Sequence, residues 1–229
     1  MKSSQNAAEF LLVDFRPQED LMFWDTFSRG LANVKKEGRW ICVLVGSGEK
    51  EERVLAQKGL STLRSLSDEL EYDHFIAGEV EKTVRQEKNI ISSRLTDEGV
   101  SAVGIMGFER GLIRSNNGQI LAKEGVQKSL WQAPAVVPIL MSVCLDETGL
   151  LKDVHPIRTV RAITLNLPFP ASITIVSQRV RVATDLNKSG ISSHEMEEML
   201  CNVGLAELAK TDDNLPKWKI IGPALQNNY

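Results

Sequence analysis

The sequence predicts an α/β fold: a three-layer αβα sandwich with a mainly parallel central sheet. Two patterns point there. Short runs such as "WICVLV" (40–45) and "VSAVGIM" (100–106) are apolar throughout rather than alternating, as strands buried on both faces are. Between such runs stand segments with apolar residues three and four apart, so strands and helices take turns along the chain.

The elements follow in order. "EFLLVDF" (9–15) is a short apolar run suited to a buried strand. The next segment places Leu21, Trp24, Phe27, Leu31 and Val34 at helical spacing and is closed by Gly38. "WICVLV" is the second strand, and "EKEERVLAQKG" is a short polar helix with acidic residues in its first turn. A long helix over about residues 74–97 carries Ile76, Val80, Val84, Ile91 and Leu95 on one face.

"VSAVGIM" is the next strand, and Asn116-Asn117-Gly118 marks a hairpin within 111–124. A strand at about 136–144 runs into the turn "DETG" (146–149). A helix at about 157–167 stops before Pro168, "ASITIVSQ" (171–178) is the last central strand, and a serine-capped helix spans 192–204. The hairpin is expected in the same layers as the rest, so the 229 residues are taken as a single domain.

Composition narrows the function. A 42% hydrophobic and 25% charged chain is ordinary for a globular protein. The net charge of −3 and pI near 5.7 disfavour nucleic acid and anionic membrane as partners. No apolar run approaches the roughly 20 residues that span a bilayer; Pro134 and Pro138 interrupt the longest. The first residues read as a leading strand rather than a signal peptide. Cys42, Cys144 and Cys201, like His74, His155 and His194, are scattered without metal-ligand spacing. Cys42 and Cys144 fall inside apolar runs and are expected as buried free thiols, which fits a cytoplasmic protein. Trp24, Trp40 and Trp131 are expected in packing roles, and "EKEER" as a solvated helix face.

The chemistry-bearing feature is the turn Gly46-Ser47-Gly48 between strand and helix. Ligands of parallel sheets bind at the carboxyl ends of strands, and a helix N-terminus favours an anion there. Glycines let backbone amides approach phosphate oxygens, Ser47 adds a hydroxyl and Lys50 a charge. Against this, no third glycine follows, and Glu49, Glu51 and Glu52 crowd the turn. A plain structural turn is the competing reading. A dinucleotide-binding unit would need an acidic residue ending a strand about 20 residues on. Glu69 and Glu71 fall in that window, but the preceding "LSTLRSLSD" is a poor strand.

The succession of these motifs resembles the amino-acid kinase family, and within it the acetylglutamate kinases, over about residues 9–204. "VLVGSGEKEERVLAQKG" is similar to the family's glycine loop and helix. "AGEVEKTVRQEKNIISSRLTDEGVSAVGIMGFERGLIRS" (77–115) is similar to its long helix, next strand and glycine turn. "VPILMSVCLDETGLLKDVHP" (137–156) parallels the strand and turn that lead to its substrate-binding segment, and "ITIVSQRV" (173–180) the strand before its catalytic loop. The resemblance implies transfer of the γ-phosphoryl group of ATP, with Mg²⁺, to the side-chain carboxylate of an N-acyl amino acid such as N-acetyl-L-glutamate, a step of arginine biosynthesis. It also implies a homodimer paired across the helix 74–97.

Several positions depart from the family pattern. Asp14 stands where a lysine that holds the transferred group is expected, followed by Phe15, Arg16 and Pro17 instead of two glycines. A carboxylate repels the phosphate, and proline removes a backbone donor. The expected substrate-binding asparagine falls near His155, and the catalytic-loop aspartate near Gln178. Arg64 is placed to hold a substrate carboxylate, or is a solvated surface residue. "KIIGPAL" (219–225) stands for the start of a reduced nucleotide-binding part.

Two functions follow. One is a ligand-binding or regulatory protein on a degenerate kinase fold, needing neither ATP nor Mg²⁺. The other is an active kinase in which Arg16 or Lys50 supplies the missing charge. Losing one charge-stabilising group commonly costs about 10²–10³-fold in rate, which favours the first.

Overall fold

A computed structural model describes residues 8–13, 21–35, 40–46, 55–59, 70–71, 74–131, 133, 135–154, 156–169, 171–176, 184–185 and 217–221. In chain order the strands are β1 (Ala8–Val13), β2 (Trp40–Val45), β3 (Leu70–Glu71), β4 (Ala102–Met106), β5 (Ile113–Asn116), β6 (Gln119–Ala122), β7 (Val137–Met141), β8 (Val143–Leu145), β9 (Leu151–Asp153), β10 (Ala171–Val176), β11 (Thr184–Asp185) and β12 (Lys217–Ile221). The principal helices are α1 (Leu21–Lys35), α2 (His74–Asp97), α3 (Val126–Leu130) and α4 (Pro156–Thr164).

The main sheet has the order β11-β12-β10-β1-β2-β7-β4, and every pairing in it is parallel except β11 with β12. Its central strands are buried on both faces, which explains why they do not alternate. Leu11, Val13, Val43, Val45, Ile139 and Met141 pack on one side, against Phe27 and Leu31 of α1 and Val80, Val84, Ile91 and Leu95 of α2. Phe10, Leu12, Cys42, Leu44 and Leu140 pack on the other, against Ile157, Val160 and Ile163 of α4. The expected sandwich is therefore present, each fully buried large side chain contributing on the order of 1.5–3 kcal/mol.

Helix α2 spans 74–97, as its apolar period predicts, and its five stripe residues are all buried. In α1, Trp24, Phe27 and Leu31 are buried together with Phe23, which lies off the expected stripe. Phe23 stacks on Phe27 at 6.0 Å between ring centroids and meets Trp24 edge-on at 5.3 Å. Trp131 covers the opposite face: its indole N–H donates to the Ile41 carbonyl at 3.1 Å, and its ring stacks on Trp40 at 5.8 Å.

The hairpin departs from expectation. It joins a second sheet, β3-β9-β8-β5-β6, instead of the layers of the main one. The strand expected at 136–144 is correspondingly two strands, β7 in the main sheet and β8 in the second, with Ser142 between them. The sequence on both sides of Ser142 is apolar, so the division is set by what each half pairs with. The predicted helix at 192–204 lies outside the described residues.

Candidate functional site

The carboxyl ends of the parallel strands form one straight row. Met106, Met141, Val45, Val13, Val176 and Ile221 are successive Cα partners across the main sheet. The strands that follow β1 fall first on one side of it (β2, β4, β7) and then on the other (β10, β12), so strand order reverses between β1 and β10; α1 leads from β1 to β2, and α4 leads into β10. Those two helices cover opposite faces. A crevice beyond the carboxyl ends at such a reversal is where open α/β sheets place ligands.

The sequence-predicted positions can be referred to that row. Asp14 follows Val13, Gly46 follows Val45, and Gln178 comes two residues after Val176. The structure thus brings together the three strands that deliver them. Gly46 is buried at the end of β2. Asp14, Arg16, Ser47, Gly48, Lys50, Arg64, His155 and Gln178 lie outside the described residues.

The described part of the edge is a seam of main-chain hydrogen bonds. Ser142 N donates to Val45 O at 2.9 Å, and Val154 N to Ser142 O at 3.0 Å. Gly107 N donates to Met141 O at 3.1 Å, and Gly107 O accepts from Ile113 N at 2.7 Å. The close approach at Gly107 requires glycine, because a Cβ there would collide with the Val143 carbonyl oxygen. Below the seam, the buried hydroxyls of Ser142 and Thr159 share a hydrogen bond of 2.6 Å and tie the edge to α4.

One charged side chain at this edge was not singled out from the sequence. Asp153 ends β9 opposite Val143, beside the Ser142–Val154 bond, and is 4% exposed. It stands two residues before His155, and the apolar flanks of Lys152-Asp153 were the only signal for a buried pair. Gly46, Gly107 and Ser142, the described residues that directly follow β2, β4 and β7, carry no charge. No group of three metal-ligating side chains occurs among the described residues. Gly46, Gly107 and Ser142 therefore offer no carboxylate to a Mg²⁺ ion.

At the far end of β8 and β9, the "DETG" turn forms as expected. Asp146 Oδ1 accepts from Thr148 Oγ1 at 2.6 Å, Thr148 N at 2.8 Å and Leu150 N at 3.0 Å. The Thr148 hydroxyl above all, then the backbone donors and Lys152, hold this carboxyl below its ordinary value against the opposing effect of burial. Cys42 and Cys144 are buried free thiols, and burial pushes Cys42 upward. No helix among the described residues is long and apolar enough to cross a membrane.

No family model and no curated protein matches the chain by sequence. Solved structures do match its fold. An isopentenyl phosphate kinase superposes with a TM-score of 0.63 at 15% identity, covering 95% of this chain and 92% of the other. The aspartate kinase from Synechocystis gives 0.59 at 12%, covering 95% of this chain and 40% of the other. The N-acetylglutamate synthase from Neisseria gonorrhoeae, in complex with coenzyme A and L-arginine, gives 0.61 at 10%, covering 96% and 56%. The chain spans less than two thirds of the last two. Its fold is the one shared by amino-acid kinase family members.

Proposed function

We propose that the protein binds a small N-acyl amino acid, such as N-acetyl-L-glutamate, in the crevice at the carboxyl ends of β1, β2 and β10, and that it has lost phosphoryl transfer. The observation that carries this reading is the register of Val13, Val45 and Val176. It starts the segments of Asp14, Gly46-Ser47-Gly48 and Gln178 from one line, which supports reading the altered residues as parts of one site. Phosphoryl transfer depends on cations and backbone donors placed around the γ-phosphate. Asp14 and Gln178 supply neither of the charges expected there. Gly46, Ser47, Gly48 and Lys50 keep an anion-binding turn, and Arg64 and His155 contact the amino acid.

The reading includes pairing of two copies across α2. Ile90 on that helix is 44% exposed, an apolar side chain that a second copy would cover. Its role is regulatory, and it functions in the cytoplasm. The test is ADP release with Mg·ATP and N-acetyl-L-glutamate. No release above the protein-free rate is expected; sustained turnover overturns the loss of catalysis.

A second reading is favoured by one comparison. The isopentenyl phosphate kinase matches nearly the whole of both chains. On that reading the protein is an active ATP-dependent kinase with Arg16 or Lys50 as replacement cation. Turnover in the same assay, abolished by Lys50→Ala or Arg16→Ala, would establish it.

A further inference from the structure

The second sheet carries a cleft of about 870 Å³ between the β5–β6 hairpin and the β8–β9 turn. We propose that this cleft is a binding site for a small organic anion, a phosphate or carboxylate on a partly apolar body. The proposal does not rest on the reading of the carboxyl edge.

Three cations line the cleft: Arg110, Arg114 and Lys123. Among the described residues, neither Arg110 nor Arg114 has a carboxylate partner, whereas Arg85 pairs with Glu81 and Glu109, and Arg94 with Asp25. Of the two carboxylates on the rim, Asp146 is already engaged by Thr148, Leu150 and Lys152. Among the described lining residues, Glu147 is then the one carboxylate left to oppose the three positive charges. An unpaired guanidinium facing a cleft is a fork of donors that fits a phosphate or carboxylate in two-point contact.

The turn beneath the cations is built to hold them. Arg110 and Gly111 are consecutive left-handed residues, at φ 56° and 65°. Such a conformation is uncommon for arginine and recurs at ligand sites. A Cβ on Gly111 would sit 2.7 Å from Nη2 and 2.9 Å from Nε of Arg114, so the missing side chain is what lets that guanidinium lie across the turn. Lys123 Nζ donates to the Arg110 carbonyl at 3.4 Å, which keeps its charge beside the other two.

The floor of the cleft suits an apolar body. Phe108, Ile113 and Leu145 line the cleft, and Leu121 leaves 47% of its surface open there. Pockets for small molecules commonly enclose about 300–1,000 Å³ behind apolar walls with a few polar groups, and this cleft falls in that range.

The test titrates the full chain with phenyl phosphate, benzoate and neutral benzyl alcohol, followed by amide NMR shifts. Saturable binding of at least one anion, with shifts at Gly111, Leu121 and Thr148, is expected, and benzyl alcohol should leave these amides unmoved. The stronger anion identifies the oxyanion class. Arg114→Gln should weaken that anion by about tenfold, the loss of one charge-assisted contact. Arg110→Asn, which tolerates the left-handed turn, should do the same. Absence of saturation with either anion, equal binding of benzyl alcohol, or undiminished affinity in both variants would overturn the proposal. Because shifts at Gly46 and Ser142 report the carboxyl edge separately, the two sites succeed or fail independently.

Discussion

Ser142 donates its main-chain N–H to the carbonyl of Val45 at 2.9 Å, at the point where the chain leaves the main sheet for the second one. That bond places the sheet break beside Gly46, the residue that follows β2. The Ser142 hydroxyl continues the link to Thr159 on α4 at 2.6 Å, so one residue joins both sheets and a helix.

The hydroxyl pair should therefore behave as a unit. Thr159→Val leaves the buried Ser142 hydroxyl without this partner and should cost about 1–3 kcal/mol in urea unfolding. Ser142→Ala should cost a similar amount. The double variant should lose less than the sum, because neither orphaned group remains.

Two glycines separate steric from conformational cost. Gly107→Ala drives a methyl into the Val143 carbonyl within a hydrogen-bonded seam, and should lose about 3 kcal/mol or more. Gly118 has φ of 73° but open space around it, so Gly118→Ala should lose only about 1–2 kcal/mol. Thermal unfolding of the two proteins side by side checks the order.

Asp146 gives the protein a pH-dependent contribution. Its folded pKa lies below the unfolded one, so the stabilisation is fully present above the unfolded value of about 4 and lost as pH falls through the folded value. Asp146→Ala should be about 1 kcal/mol or more less stable than the parent at pH 7. That gap should narrow steadily below about pH 4, as read by urea unfolding across pH.

Cys42 should be inert in the folded protein. Burial disfavours the thiolate, which is the reactive form. In a Cys201→Ser variant, neither Cys42 nor Cys144 should react with a thiol reagent at pH 8 until denaturant is added. Rapid labelling without unfolding would show that the strands open readily.

The main strands and α2 were legible because burial imposes a pattern on consecutive residues: both faces of "WICVLV" are covered, and α2 presents one stripe to the sheet. The division between β7 and β8 was not, because it depends on partners at Val45, Val154 and Thr159, far from Ser142 in sequence. Strands of three residues such as β8 and β9 are too short to show a period. At the carboxyl edge, the run "WICVLV" located β2 and its end at Gly46. The sequence passed over Asp153, whose position follows from strand pairing with Val143 and Leu70. Arg110, Arg114 and Lys123 were likewise dispersed around a hairpin, and only the fold gathers them on one cleft.

The central claim is that the carboxyl edge holds an N-acyl amino acid, and the most direct measurement is calorimetric titration of the protein with N-acetyl-L-glutamate. Saturable heat is predicted, weakened by about tenfold or more in Arg64→Ala through loss of a charged contact to the ligand carboxylate. No saturable heat, or binding untouched by Arg64→Ala, would contradict the account and leave the glycine turn as a structural connection alone.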